Sequence, residues 1–343
     1  MSQSPKVSVL IITRNRSFIL GDCLKALHLQ IDSTKHEVVV VDSSEADDTG
    51  KLIKNFPWVK YHRISLPLGT RPQSYSYGAK MCQGEIIALL DDDAIVLSDW
   101  LKNLEACFQD LKVGVAGGRV LPKEGVQLPE TKGDEVIGAM TLTGRIISNL
   151  YIDSGRRLEI DVVRGCNMAV RKSLLEQMDY FDARFRGQNC RVEDDICLWV
   201  KRMGYKVIFE PKAVVRHLAE ERPDIPRSEF NMRSEFYVWR NTVWLYTKHF
   251  GFNLKILFLV SFFTPFRECI RRVVGGSFKR PRITQDGIRY LPAALAGVTG
   301  GIWGLLMSFL YMIQDLLNKK SISQPNLRSK QLVLFQGKVG AAL

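Results

Sequence analysis

Apolar positions in the first 120 residues fall into short runs separated by stretches with helical spacing. Residues 7–12 read as a buried strand and 18–29 as an amphipathic helix. Residues 37–41 are valine throughout after the first position and read as a second strand. A short helix over 49–56, a strand over 59–64, a helix over 73–82 and a strand over 86–90 follow. Next come a helix over 99–110, capped near Ser98, and a strand over 114–120. Strands this continuous in apolar character, alternating with helices, predict an α/β fold with a mostly parallel sheet covered on both faces.

The pattern then lapses. Residues 121–160 are irregular, with Gly and Pro near their start, and read as a connection or small subdomain. Regular signal returns over 161–170, in a helix near 173–178 and in a helix over 194–203. Gly204 closes that helix, and a strand over 205–209 follows. Near residue 250 the texture changes. Residues 256–266 and 290–313 are uncharged runs of 11 and 24 residues, and 267–289 between them holds seven Lys/Arg and two acids.

Charge sharpens this division. Residues 1–200 carry 25 Lys+Arg against 27 Asp+Glu, whereas 201–343 carry 23 against 9, so the whole excess of +12 lies in the last two-fifths. Basic residues flanking apolar runs point to an anionic membrane surface. No stacking module or helix-turn-helix pattern accompanies them, so nucleic acid is not expected as a partner. The seven cysteines form no CxxC pair, so neither a disulfide framework nor a zinc site is expected, which fits a reducing cytoplasm. The stretch before residue 7 is short and polar, so no signal peptide is expected.

Ligands of open α/β sheets bind beyond the carboxyl ends of the strands, so the residues following each strand are the candidates. These are Thr13, Arg14, Asn15 and Arg16 after the first strand, Asp42 with Ser43 and Ser44 after the second, and Asp91-Asp92-Asp93 after the fourth. Arg14 or Arg16 suits a phosphate and Asp42 a base or ribose; turn formation by Asp42 and helix capping by Asp47 or Asp48 are the plain alternatives. Three adjacent carboxylates repel, and a divalent cation relieves them; Mg²⁺ or Mn²⁺ prefers such oxygen ligands together with phosphates. A solvated acidic turn is the alternative. A second acidic group, Glu193-Asp194-Asp195, opens a helix, where the macrodipole favours it and where one member can serve as a general base. His217 follows an apolar stretch and reads as a metal ligand or as a structural histidine.

Taken together, these segments resemble the family 2 glycosyltransferases, which have the GT-A fold. The resemblance rests on residues 7–15, 39–44 and 84–94, then Arg164-Gly165-Cys166-Asn167-Met168-Ala169, Phe181-Asp182-Ala183-Arg184-Phe185, Glu193-Asp194-Asp195, and Gly204-Tyr205 with His217 beyond. It covers about residues 6–250. It implies that Thr13, Arg14 and Asn15 line a nucleotide pocket and that Asp42 meets the base. Asp91, Asp92 and Asp93 face the ribose, diphosphate and metal, His217 is a late metal ligand, and Asp194 is the base with Glu193 and Asp195 beside it. Tyr75-Ser76 replaces the family's usual Arg-Asn ahead of Gly78, and Arg71 is the candidate for the missing positive charge. The signature of processive synthases is not evident, so transfer of a single sugar is expected.

The expected organisation is a GT-A, Rossmann-like catalytic domain over 1–250, with a nucleotide-sugar half at 1–120 and an acceptor and catalytic half at 121–250. A membrane-associated helical region at 251–318 and a tail at 319–343, with disorder among its readings, complete it. The expected activity is metal-dependent, inverting transfer from a nucleotide-sugar to a lipid-linked or glycan hydroxyl, using Mn²⁺ or Mg²⁺. The competing readings are a sugar nucleotidyltransferase, which lacks its glycine-rich loop here, and a membrane-bound nucleotide-sugar sensor. Spanning arrangements place basic clusters outside, against the positive-inside rule. The expected location is therefore the cytoplasmic face of the cell membrane, with the tail peripheral, re-entrant or integral. Pro292 and the glycines at 297, 300, 301 and 304 suit a broken helix.

Overall fold

The computed structural model describes residues 6–67, 70–128, 135–141, 144, 146–187, 191–218, 227–251, 274–275, 282–283 and 285–317. Its first elements are β1 (Val7–Thr13), α1 (Ser17–His28), β2 (His36–Asp42), α2 (Asp48–Ile53), β3 (Val59–Arg63), α3 (Arg71–Met81) and β4 (Ile86–Asp91). Then come β5 (Ala94–Val96), α4 (Trp100–Cys107), β6 (Val113–Leu121), and the short β7 (Ala139–Met140), β8 (Ile146–Ile147) and β9 (Leu158–Glu159). A 3₁₀ turn (Gly165–Asn167) leads into β10 (Met168–Arg171), α5 (Lys172–Gln177), α6 (Val192–Arg202) and β11 (Lys206–His217). The last elements are α7 (Arg227–Phe250), β12 (Val274–Gly275), β13 (Arg282–Ile283) and α8 (Gln285–Leu317).

The chain divides into two compact units. The first comprises Met1–Ala139, Ile147–Arg186 and Val192–Arg222, and the second Met140–Ile146, Gly187–Arg191 and Pro223–Leu343. The first is built on a sheet in the order β3-β2-β1-β4-β10-β6-β11-β5, with β9 also paired to β11. β1, β2, β3 and β4 run parallel, as do β6 and β11. β10 enters antiparallel between β4 and β6. Val9, Ile11, Val38, Val40, Ala88 and Leu90 are buried in one core with Leu20, Leu24 and Leu27 of α1, as expected of a sheet with both faces covered.

Three local expectations change. The helix expected over 99–110 is α4, which ends at Cys107. Its entry residue Asp99 adopts a left-handed backbone, φ 58°, and neither Asp99 nor Ser98 caps it through a side chain. The acidic turn after β4 leads into β5 rather than a helix, a three-residue strand too short to leave a periodic signal. The strand expected over 205–209 continues to His217, through an irregularity in its ladder between Glu210 and Val214. There β11 presses so closely on β6 that a Cβ on Gly118 would lie 1.8 Å from the Ala213 carbonyl oxygen, so only glycine fits. Asn167, fully buried, spans this crossing. Its Nδ2 donates to the Arg119 and Ala213 carbonyls, both at 2.9 Å, and its Oδ1 accepts from Trp100 Nε1 at 2.8 Å.

In the second unit α7 and α8 pack along their lengths. Cβ atoms on Gly300 and Gly304 would meet the Phe236 and Arg240 backbones, and Tyr311 meets Trp244, so contacts advance together and the two helices run in the same direction. α8 is continuous through Pro292 and the glycine series, against the expectation of a break. The glycines mark a close helix-helix contact instead. Arg240 is buried, donates to the Tyr311 hydroxyl at 2.8 Å and to Asn241 at 2.7 Å, and lies over the Tyr311 ring. The opposite side of α8 exposes Leu295, Ile302, Trp303, Leu306, Phe309, Leu310 and Ile313. The stretch Leu295–Asp315 is long and apolar enough to cross a membrane. The apolar run at 256–266 and the tail at 319–343 lie outside the described residues.

Candidate active site

Parallel strand registers bring the candidates to one edge of the sheet. Thr13 pairs with Asp42, Ile12 with Asp91, and Asp42 with Arg63, so β1, β2 and β4 deliver their polar residues at the same level. β5 and β11 add the last member. Their antiparallel ladder sets His217 opposite Ala94, and the Leu218 amide donates to the Asp93 carbonyl at 2.9 Å.

The three aspartates after β4 receive three different environments. Asp91 accepts hydrogen bonds from Arg71 and, at 3.3 Å, from the Tyr75 hydroxyl through Oδ1, while its Oδ2 lies 3.6 Å from His217 Nε2. Asp92, 1% exposed, accepts from Thr13 Oγ1 at 2.7 Å and from the Arg16 guanidinium. Burial pushes the Asp92 pKa up, with Arg16 opposing and Asp93 reinforcing the rise. Asp93, 3% exposed, accepts from Arg16 Nη1 at 3.0 Å through Oδ2. Its Oδ1 pairs with His217 Nε2 at 3.1 Å and has no hydrogen bond of regular geometry. Burial acts to raise the Asp93 pKa. The His217 and Arg16 contacts overcome it and hold this carboxyl well below the usual range, and Asp93 in turn outweighs burial to raise the His217 pKa. The Cys166 thiol completes the group: one ligand atom each from Asp91, Cys166 and His217 lie within 4.8 Å of one another.

Much of the expected nucleotide pocket is cross-linked to itself. Arg14 donates to the Ser43 and Leu66 carbonyls at 2.9 and 2.7 Å and to Glu45 at 2.8 Å. Asn15 adopts a left-handed backbone, φ 54°. Its amide donates to Ser44 Oγ at 2.7 Å and its Oδ1 accepts from the Glu45 amide at 3.1 Å. Asp42 is fully buried, accepts from the Ser44 amide at 2.8 Å and its hydroxyl, and accepts from the Tyr61 hydroxyl at 2.8 Å. These residues shape the edge of the sheet by locking the loops after β1, β2 and β3 together.

Arg71 stands at the start of α3, where it meets Asp91. The Tyr75-Ser76 pair grips the Phe181 segment: Tyr75 stacks on Phe181 at 5.1 Å, and Ser76 Oγ accepts from the Phe181 amide at 3.1 Å. A Cβ on Gly78 would strike Leu10 at 2.3 Å, which explains the glycine there.

Of the second acidic group, Asp194 and Asp195 are buried in α6, whereas Glu193 keeps part of its surface open while being densely surrounded by protein atoms. Burial raises the Glu193 pKa. Arg71 opposes the rise, and the charges of Asp194 and Asp91 add to it. Glu193 therefore shares the electrostatic field of Arg71 and Asp91, and its carboxylate lies against Gly165, where a Cβ would be 2.6 Å from Oε1. Sequence reasoning centred on Asp194; the structure places Glu193 beside the Asp91 group. Missed altogether were Tyr75, Cys166 and Asn167 as individual members. Asn167 and Cys166 lay within a recognised segment, but nothing in their spacing revealed the roles of their side chains.

Comparison with known proteins bears on the family and the fold. A model of the Glycosyl transferase family 2 matches residues 8–179. The probable glycosyltransferase YdaM of Bacillus subtilis is 24% identical over 62% of this chain and 51% of its own length. Beta-monoglucosyldiacylglycerol synthase of Nostoc is 32% identical over 32% of this chain and 25% of its own. The chain thus spans about half, or less, of the length of these relatives. Among solved structures, the mannosyltransferase PcManGT of Pyrobaculum calidifontis, in complex with GDP-Man and Mn²⁺, superimposes with a TM-score of 0.51 at 17% identity, over 92% of this chain and 76% of that one. At this identity the likeness is one of fold.

Proposed function

Because this chain belongs to the family 2 glycosyltransferases, we propose that it transfers a single sugar from a nucleotide-sugar to a hydroxyl of a lipid-linked or glycan acceptor, with inversion and with Mn²⁺ or Mg²⁺ bound. The observation that carries this reading is the Asp93 carboxylate. It is buried and held ionised by its surroundings, and its Oδ1 lies 3.1 Å from His217 Nε2 at the ligand-binding edge of the sheet, with no hydrogen bond of regular geometry. A buried carboxylate oxygen whose partner is a single histidine has coordination capacity left, and a divalent cation fills it. The residues fit such an ion: Asp91, Asp93 and His217 would hold it, and when bound it supplies positive charge for the diphosphate leaving group.

The other residues divide the remaining work. Thr13, Arg14, Asn15 and Asp42 form the nucleotide side, Arg71 supplies positive charge beside Asp91, and Asp92 with Arg16 fixes the neighbouring carboxylates. Glu193, from the Glu193-Asp194-Asp195 group, takes the proton of the acceptor hydroxyl. Its raised pKa suits a base, because it binds the proton more strongly than an ordinary glutamate does. Residues 1–120 serve the donor and 121–250 the acceptor. The relative named for diacylglycerol glycolipid synthesis supports a lipid acceptor.

The membrane side of the reading rests on α8, which lies in the cytoplasmic interface with its apolar side against lipid. A spanning α8 would carry α7 into the bilayer, with Arg240 and Asn241 buried beside it. It would also carry in the irregular segment at Thr141, whose carbonyl accepts from the Tyr246 hydroxyl at 2.6 Å.

A panel of nucleotide-sugars incubated with the protein and Mn²⁺ tests the proposal. Chelator-sensitive hydrolysis of one donor is the expected result. Absence of both donor binding and hydrolysis across the panel overturns it, and binding without turnover identifies a sensor.

A further inference from the structure

The metal reading above leaves Cys166 unused, although its thiol is one of the three ligand groups converging at Asp91 and His217. The thiol is not placed there by accident of a loose loop. It sits in the 3₁₀ turn Gly165–Asn167, clamped by the three hydrogen bonds of Asn167 and followed directly by β10 in the middle of the sheet. Two further observations point to a ligand at this spot. His217 Nε2 stands 3.6 Å from Asp91 Oδ2, and the buried Asp93 Oδ1, 3.1 Å from the same nitrogen, has no hydrogen bond of regular geometry.

Resting on the metal reading, we propose that Cys166 is a metal ligand, making this a mixed oxygen, nitrogen and sulfur site that takes Zn²⁺ or Co²⁺ in preference to Mg²⁺. Mg²⁺ demands oxygen ligands and gains nothing from a thiolate, whereas Zn²⁺ and Co²⁺ bind carboxylate, imidazole and thiolate together. Mn²⁺ occupies the site through the carboxylates and His217 and gains little from sulfur. Binding of Zn²⁺ or Co²⁺ forms the sulfur-metal bond, breaks the S–H bond and releases one proton to solvent.

The test uses the full chain stripped of metal. Titration with Co²⁺ is expected to produce the near-ultraviolet thiolate-to-cobalt charge-transfer band, saturating at one ion per chain and bleached by Zn²⁺, with proton release in weak buffer. Cys166→Ser is expected to abolish the band and to lower Zn²⁺ affinity roughly tenfold or more, because sulfur is the ligand that distinguishes these ions. Its Mn²⁺ binding, measured by electron paramagnetic resonance, is expected to persist, and that persistence also shows that the variant folds. A wild-type protein that binds Mn²⁺ but gives no thiolate band with Co²⁺ overturns the role of Cys166 and leaves the metal reading standing. A band that survives in Cys166→Ser overturns it as well, because the sulfur then belongs to another cysteine. Failure of the wild-type protein to bind Mn²⁺ and Co²⁺ alike overturns both.

Discussion

Two acidic triplets stand at the candidate site, and the fold treats them in opposite ways. Asp91, Asp92 and Asp93 leave β4 in a tight turn, where each carboxylate meets its own partners: Arg71 and Tyr75, Thr13 and Arg16, Arg16 and His217. Glu193, Asp194 and Asp195 open a helix, where successive side chains point about 100° apart. One of them, Glu193, keeps partial exposure beside Arg71 and Asp91, while the other two are buried. The first triplet gathers cations and is held ionised at Asp93. The second places one carboxylate where burial and neighbouring negative charge favour the protonated form. Asp93 and Glu193, one from each cluster, acquire opposite proton affinities from their surroundings, the division of labour on which the proposed metal-binding and base roles rest.

The largest effect expected from breaking this contrast is at Glu193. Glu193→Gln should lower kcat by roughly 10²-fold or more, the scale of general-base loss, with donor affinity little changed. Asp194→Asn serves as the comparison in steady-state kinetics. If the Asp194 variant is the crippled one and the Glu193 variant is not, the base lies one residue later than the geometry indicates.

Asp93→Asn should come next. Replacing the carboxylate leaves a weaker metal ligand, and activity should fall by about 10² or more, with Mn²⁺ affinity falling in parallel in a calorimetric titration. Near-normal Mn²⁺ binding by this variant would remove Asp93 from the metal site.

A third change separates holding from catalysis. Arg16→Gln leaves Asp92 buried with the Thr13 hydroxyl as its hydrogen-bond donor, and loss of one partner of a buried ion pair costs about 3–5 kcal/mol. Thermal or denaturant unfolding should show this loss. Arg16→Gln combined with Asp92→Asn should recover part of it, since the buried Asp92 charge is then removed too, while Asp93 still lacks its Arg16 partner. An unchanged midpoint in the single variant would mean that the pair is incidental.

The smallest expected effect is in the pH profile. A base with a raised pKa is protonated, and so disabled, at a higher pH than an ordinary glutamate. On lowering the pH, kcat should therefore decline earlier than an ordinary glutamate would dictate, as the pH falls through the raised value. Glu193→Asp should keep an acid limb, displaced along the pH axis, and Glu193→Gln should lose it from its residual activity. An acid limb identical in wild type and Glu193→Gln would assign it to another group.

Much of this was legible before any coordinates. The strands at 7–12, 37–41 and 86–90 are buried on both faces, so they read as continuous apolar runs, and the rule that ligands gather at strand carboxyl ends led to Thr13, Asp42 and Asp91 through Asp93. β5 was not legible, because three residues cannot show a period. Without β5, the route by which His217 reaches Asp93 was invisible. Arg14 and Asn15 were found but their contacts were not: both are tied up with Ser43, Ser44 and Glu45 across β1 and β2. The glycines of α8 suggested a break because glycine is a poor helix former. The close approach of α7 compensates for that weakness in the tertiary structure.

By itself, the sequence determined the alternation of strand and helix, the edge at which chemistry would sit, the two acidic triplets and the basic, apolar character of the C-terminal part. Each follows from local patterning of apolarity and charge, which one chain segment carries alone. Tertiary structure alone decided which carboxylate of each triplet faces the site, that His217 and Cys166 join Asp91, and that Asn167 braces the crossing of β6 and β11. These depend on through-space neighbours 16 to more than 120 positions apart in the chain, such as Arg71 with Asp91 and Asp93 with His217. A carboxylate's proton affinity and a thiol's ligand partners are properties of that assembled field, which no local run of residues contains.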